Sequence, residues 1–255
     1  MNMAVNHERP GSPARQPRRE VLVVEGLSAG YGPLRVIHDL DLKVQSGERI
    51  GIVGLNGHGK STLFYAIAGL TGWQRGSIRL NGREVGRTRS QGPGRYTHEI
   101  VRAGLALIPQ GDEIFHGLTV EEHLDLGAYT GAAWRDRARR KLRILEIFPP
   151  LRKLKNVPVG RLSGGERRMV AIGRGLMADA LLFLVDEPSL GLAPKIGKSV
   201  INALMDVKLG DSAMIIAEQN VALLEGRVDR VIGMHVGKLK GEAAAALALQ
   251  AHRKV

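Results

Sequence analysis

Gly54-Leu55-Asn56-Gly57-His58-Gly59-Lys60-Ser61-Thr62, preceded by Glu48-Arg49-Ile50-Gly51-Ile52-Val53 and followed by Leu63-Phe64-Tyr65-Ala66-Ile67-Ala68, decides how the rest of the chain is read. The stretch fits G-x-x-x-x-G-K-[ST], the phosphate-binding loop pattern. Its context is the one the chemistry requires: an apolar strand, a glycine turn whose backbone N–H groups can converge on phosphates, and a helix N-terminus that adds free donors and a partial positive charge. On this reading Gly54, Asn56, Gly57, His58, Gly59 and Thr62 belong to the cradle of a nucleoside triphosphate. Lys60 reaches the β/γ-phosphates and the Ser61 hydroxyl binds Mg²⁺.

Outward from the loop, the next decisive run is Leu181-Leu182-Phe183-Leu184-Val185, followed by Asp186-Glu187-Pro188. An unbroken apolar run of this length reads as a central parallel strand, and it delivers two acids at its C-terminal end, where open α/β sheets bind ligands. Successive residues leaving a strand point in different directions. Asp186 is therefore assigned to the metal, through its water, and Glu187 to the general base that activates an attacking water. On their own, two such acids would equally well cap the turn that follows.

The remaining chain supplies strands alternating with helices. Residues 21–27 read as a strand, followed by Ser28-Ala29-Gly30-Tyr31-Gly32, a loop that leaves the ring open between glycines. Short strands are expected at 35–37 and 40–44, and a hairpin over 76–85 whose Asn81-Gly82 matches a type I′ turn. A Gly/Arg-rich loop over 86–95 leads to a strand at 105–109. Residues 119–148 turn helical: Thr119-Val120-Glu121-Glu122 carries a capping-box pattern, and 134–148 reads as one densely basic helix stopped by Pro149-Pro150. Helices to about 178 and over 194–209, a strand at 213–217 and a strand pair over 228–239 close the pattern. The fold class is α/β, a mainly parallel sheet with an antiparallel β part and a helical subdomain over about 114–178. One domain spans 20–255 behind a basic tail over 1–19, rich in Pro and Arg, that has almost nothing to bury.

Composition narrows the setting. The 255 residues are 44% hydrophobic, and no apolar run approaches the length that crosses a bilayer. The N-terminus lacks a signal-peptide core, so a cytoplasmic protein is expected. Zero Cys excludes disulfides and thiolate zinc sites. The net charge of +12 admits two partners. Nucleic acid is one, although the cations are spread along the chain and stacking aromatics are only 4%. Anionic lipid headgroups or an acidic protein are the other.

Leu162-Ser163-Gly164-Gly165-Glu166 ahead of the 181–185 strand, Gln110 after the 105–109 strand, and Ser189-Leu190-Gly191-Leu192 after Asp186-Glu187-Pro188 together resemble the ABC transporter ATPase family. The resemblance covers about 21–239 and implies an ATP- and Mg²⁺-dependent ATPase working as a head-to-tail pair. Each ATP would lie between the phosphate loop of one copy and Ser163, Gly164 and Gly165 of the other. From the residues alone, a Ser followed by two glycines at a helix start is an anion cradle, with no indication of whose anion. The resemblance further implies that Tyr31 stacks on adenine, that Gln110 touches Mg²⁺ and senses the membrane partner, and that Gln219 is the switch residue. Core packing and a solvated loop are the plain alternatives for Tyr31 and Gln110.

Phe148-Pro149-Pro150-Leu151, Ser189-Leu190-Gly191-Leu192-Ala193-Pro194 and Ala217-Glu218-Gln219-Asn220 are similar to ATP-binding subunits of importers for branched-chain amino acids, and Gln110-Gly111 with Glu113-Ile114-Phe115 to those for urea and amides. Implied partners are transmembrane permease subunits, a second copy or sister ATPase, and indirectly a periplasmic binding protein, with the chain peripheral on the inner face of the cell membrane and no nucleic acid bound. A soluble ABC ATPase acting on nucleic acid or ribosomes is the alternative. Three departures stand out: Gln219 where His is frequent, Arg167-Arg168 where Gln is commoner, and His58 where a small residue is usual.

Overall fold

The computed structural model describes residues 18–86 and 96–241. The expected tail over 1–19 lies outside the described residues except for Arg18 and Arg19, and the Gly/Arg-rich loop over 86–95 does so except for Gly86. In chain order the strands are β1 (Glu20–Tyr31), β2 (Leu34–Gln45), β3 (Arg49–Val53), β4 (Trp73–Leu80), β5 (Arg83–Gly86), β6 (Leu105–Ile108), β7 (Leu182–Asp186), β8 (Ala213–Glu218), β9 (Arg230–His235) and β10 (Lys238–Lys240). The helices are α1 (Lys60–Ile67), α2 (Thr97–Arg102), α3 (Val120–Gly127), α4 (Gly131–Arg135), α5 (Arg137–Ile147), α6 (Gly164–Leu176) and α7 (Pro194–Asp206).

Two sheets result. β2-β1-β4-β5 is antiparallel throughout; β10-β9-β3-β8-β7-β6 is parallel except at its β9/β10 edge. Side-chain alternation on the central strands divides the interior in two. Leu182 and Leu184 of β7 and Ala213, Ile215 and Ala217 of β8 face a core shared with the antiparallel sheet and with Leu63 and Phe64 of α1. Phe183 and Val185, with Met214 and Ile216, face the opposite core, which takes in Val120 and Leu124 of α3, Ile144 of α5, Val170 and Ile172 of α6, and Val200 and Ile201 of α7. The helical region therefore shares its apolar interior with the sheet. Gly173 and Gly175 make that closeness possible, since added Cβ atoms would stand 2.8 Å from Ile144 Cγ2 and 2.3 Å from Ile108 Cγ1.

Three sequence expectations are corrected. Ser28 to Tyr31 are the last residues of β1, not a loop, because the tight β1/β2 hairpin pairs Gly30 with Arg35 and Tyr31 with Leu34. Residues 34–45 form one strand, not two, crossing Asp39 at φ 50° and absorbing the irregularity as register shifts. The basic helix over 134–148 is broken at Asp136, whose carboxylate takes both Nε and Nη2 of Arg139 at 2.7 Å. The break at φ −99° and ψ 8° falls on Asp, one of the poorer helix formers. The Asn81-Gly82 turn forms with both residues at positive φ, 52° and 75°, and the Thr119/Glu122 capping box is present.

Candidate active site

β3 ends at Val53, and the chain turns through Gly57 and Gly59 into α1. Gly54 lies against β9: a Cβ there would be 2.4 Å from the Met234 carbonyl oxygen. Gly59, at φ 101°, occupies the N-cap of α1 in the left-handed region, and α1 has neither a side-chain cap nor an acid in its first turn. Its first amides are accordingly open to an anion. A cavity of about 340 Å³ sits on them, lined by Val36, Asn56, Gly57, Gly59, Lys60, Ser61, Thr62, Gln110 and Glu187.

Lys60 is 3% exposed. Its Nζ lies 2.9 Å from Glu187 Oε1 and donates to the Gly54 and Leu55 carbonyls at 2.7 and 3.2 Å. Glu187 is nearly as buried and has φ 42°, a conformation that costs a non-glycine residue on the order of 1–3 kcal/mol and persists only where the surroundings impose it. Its amide donates to Ala217 of β8 at 3.0 Å.

Asp186 is fully buried, and neither carboxylate oxygen has a hydrogen-bond partner in the protein. Burial pushes its pKa up from the ordinary carboxylate value, with the Ser61 hydroxyl beside it and the Lys60 and Arg168 charges working the other way. A buried, unpartnered carboxylate is costly unless a cation meets it. With the Ser61 hydroxyl alongside, it makes a hard oxygen pair of the kind Mg²⁺ takes when phosphates and waters complete the sphere. Among the described residues no group of three or more His, Asp or Glu could hold a metal ion.

The other expected residues divide. Tyr31, 40% exposed at the end of β1, sets its hydroxyl against Thr62, and Trp73 Nε1 anchors the turn behind it through the Gly32 carbonyl at 2.9 Å. Gln110 is exposed and lines the cavity. His58 turns away from it: its amide donates to Leu55 O at 3.3 Å, Nδ1 lies 3.1 Å from the Met234 carbonyl, and the ring meets His235 edge to face at 4.7 Å. Gln219, half-buried just after β8, is outside the cavity lining. Ser163, Gly164 and Gly165 are likewise outside it, at the start of α6. There the Ser163 hydroxyl is 3.4 Å from the Glu166 amide in a capping box, and Gly165 packs so that a Cβ would be 2.8 Å from Ile196 Cγ2.

Two residues of this region were not singled out as site residues. Glu218 is buried, accepts the Ser189 amide at 3.0 Å, and has its pKa raised by burial against opposing bonds from Ser189 and the Gln219 amide. Arg168 is buried among backbone carbonyls. A charged residue next to the signature was visible in the sequence, but an Arg five residues from a capping Ser looks like any exposed helix cation. The reverse holds on α5. Arg139 and Arg140 pair with Asp136, Arg140 also with Asp179, Lys141 with Glu121 and Asp125, and Arg137 lies 4.1 Å above the Trp134 ring. The expected basic face is largely an ion-pair network within the protein.

Residues 37–190 match the family model described as "ABC transporter". The chain is 33% identical over 222 residues, 86% of its length and 91% of the relative's, to the high-affinity branched-chain amino acid transport ATP-binding protein BraG of Pseudomonas aeruginosa. It is 37% identical over 202 residues, covering 76% of the chain and 80% of the relative, to the probable branched-chain amino acid transport ATP-binding protein LivF of Archaeoglobus fulgidus. In fold it is similar to cbiO1 of Clostridium perfringens, part of the ABC transporter complex cbiONQ, with a TM-score of 0.74 and 24% identity over 93% of this chain and 94% of that one.

Proposed function

The chain belongs to the ABC transporter family as an ATP-binding, ATP-hydrolysing subunit, and from that premise we propose that it drives an importer of branched-chain amino acids or related small amides. Its partners on this reading are transmembrane permease subunits, which hold it on the inner face of the cell membrane, and a periplasmic binding protein that delivers the ligand. Among the described residues no helix is long and apolar enough to cross a membrane, so the permease must supply the path. The helical region over 114–178, with Gln110 at its edge, is the part that would meet it. BraG and LivF, named for branched-chain amino acid transport, are the relatives that support this substrate class.

One observation carries the catalytic assignment: a single cavity gathers Gly59, Lys60, Ser61 and Thr62, Gln110 and Glu187, with unpartnered Asp186 beside it. ATP phosphates enter over the open amides of α1, and Lys60 exchanges the Glu187 carboxylate for phosphate oxygens. Glu187, released from its cation, is then free to accept the proton of a water attacking the γ-phosphate. Mg²⁺, when bound, neutralises charge on the phosphates. Ser61, Asp186 and Gln110 would hold it. Tyr31 would offer its ring to adenine, and Gln219, uncharged at neutral pH, would orient the γ-phosphate. Ser163, Gly164 and Gly165 would close the site from a second copy or a sister subunit, because in one chain they lie outside the cavity.

The test is ATP hydrolysis by the reconstituted subunit, permease and binding protein in proteoliposomes with leucine, isoleucine, valine, urea or acetamide outside. Stimulation by one of these supports the reading and selects the ligand. No stimulation by any of them, with stimulation of the free protein by RNA, would replace it with the nucleic-acid alternative. The α5 ion pairs weigh against that alternative, since they leave few cations there for phosphate.

A further inference from the structure

Arg168, on the second turn of α6, is 2% exposed. A guanidinium has five N–H donors in a rigid planar fork. Here all five end on backbone carbonyls belonging to two different loops. Nη1 donates to Pro109 at 3.0 Å and to Gly111, the residues on either side of Gln110. Nη2 donates to Asp186 at 2.9 Å and Glu187 at 3.2 Å, and Nε to Pro188 at 3.2 Å. The fork thus grips three consecutive carbonyls of the turn in which Glu187 sits at φ 42°.

We propose that Arg168 is a positioning residue that fastens the Gln110 loop to the Asp186-Glu187-Pro188 turn, so that Glu187 and the loop beside the permease move as one body. This rests on the reading of Glu187 as the base. The geometry leaves the task to Arg168: among the described residues the turn's other charged clasps are Glu218 on the Ser189 amide and Lys60 on the Glu187 carboxylate, and neither bonds the Gln110 loop. Gln at this position would bring two amide donors and Lys three donors on a single atom, and neither spans both loops. The signature helix, the Gln110 loop and the turn carrying the base are thereby joined through one side chain, and a shift at any of the three changes where the Glu187 carboxylate points.

The experiment compares wild type, Arg168→Gln, Arg168→Lys, Glu187→Gln and Arg168→Gln/Glu187→Gln in purified protein, with kcat, KM and the Kd for ATP measured for each. The expected result is a fall in kcat of tenfold or more in Arg168→Gln and at least fivefold in Arg168→Lys. ATP Kd and KM should stay within threefold, because no phosphate ligand is touched. In the Glu187→Gln background, Arg168→Gln should change the residual rate by less than twofold, since the group it positions is gone. Unchanged kcat in Arg168→Gln, or losses that multiply in the double variant, would overturn the proposal. So would failure of both Arg168 variants to fold, which would make Arg168 a core residue only. If Glu187→Gln itself hydrolyses at the wild-type rate, it is the base assignment that has failed.

Discussion

Two helices of this protein begin on a glycine-rich turn, and they begin differently. α1 starts at left-handed Gly59 with no side chain to cap it, and its open end looks into a cavity against buried Lys60. α6 starts at Ser163, extended at φ −64° and ψ 160°, whose hydroxyl and amide are both engaged by Glu166. A helix start with its own cap is stable without a ligand, whereas one without a cap has donors that only water or an anion can meet. Within one chain, then, the start of α1 keeps its amides open to a ligand, which on the proposed reading is ATP. The Ser163 turn already has one of its helix's first amides met by its own side chain, and on the proposed reading it would add to a nucleotide brought to it by another subunit.

Glu187, the acid paired with Lys60, is where this contrast is broken most strongly. Glu187→Gln keeps the side chain's shape and leaves Asp186 in place. It should lower kcat by roughly 10² to 10⁴, about 3 to 5 kcal/mol of barrier. ATP should bind as tightly as in wild type or more so, because the competing ion pair has gone. Sizing in ATP and Mg²⁺ should show an accumulated dimer. Hydrolysis at the wild-type rate would remove Glu187 as base; an inactive protein that stays monomeric would point to a sister subunit as the partner.

Lys60→Ala acts on the same pair from the other side and should cost less. The phosphates lose one charge-assisted contact, and buried Glu187 is left without its cation. ATP affinity by calorimetry should weaken by about 2 to 3 kcal/mol, roughly 30- to 150-fold. An unchanged Kd would mean that the open end of α1 is not where the phosphates go.

How much of this could be read from the residues depends on whether the signal is local. The phosphate loop, the β7 run with Asp186 and Glu187, and the Asn81-Gly82 turn were legible because each depends on neighbours in sequence. The β1/β2 hairpin was not, since Ser28 to Tyr31 are held as strand by pairing with residues 34–37 and by β4, against their loop-like composition. Nor was the break at Asp136, since one weak helix former inside a long basic run is not by itself a stop signal. The settings of Arg168 and of the α5 cations were hidden for one reason: sequence shows that a residue is charged but not what it faces. Arg168 faces carbonyls from residues 109, 111 and 186–188 that no spacing rule connects. Lys141 faces two acids from α3.

The smallest effect sharpens the contrast most. Ser163→Ala removes the cap of α6 and should destabilise the protein by about 1 kcal/mol, within the usual range of 0.5–2. Ser163→Gly also deletes the hydroxyl, but glycine is tolerated at an N-cap, so its stability loss should be only a few tenths of a kcal/mol. If Ser163 serves α6 alone, dimer formation in a Glu187→Gln background will follow stability, reduced in the Ala variant and nearly intact in the Gly variant. If its hydroxyl also meets the nucleotide of a second subunit, both variants will lose dimer equally despite their different melting temperatures. ATP affinity of the monomer should stay within twofold of wild type in either case, because Ser163 is not part of the cavity above α1. A monomer affinity that falls as far as in Lys60→Ala would place Ser163 on its own chain's nucleotide and dissolve the distinction between the two helix starts.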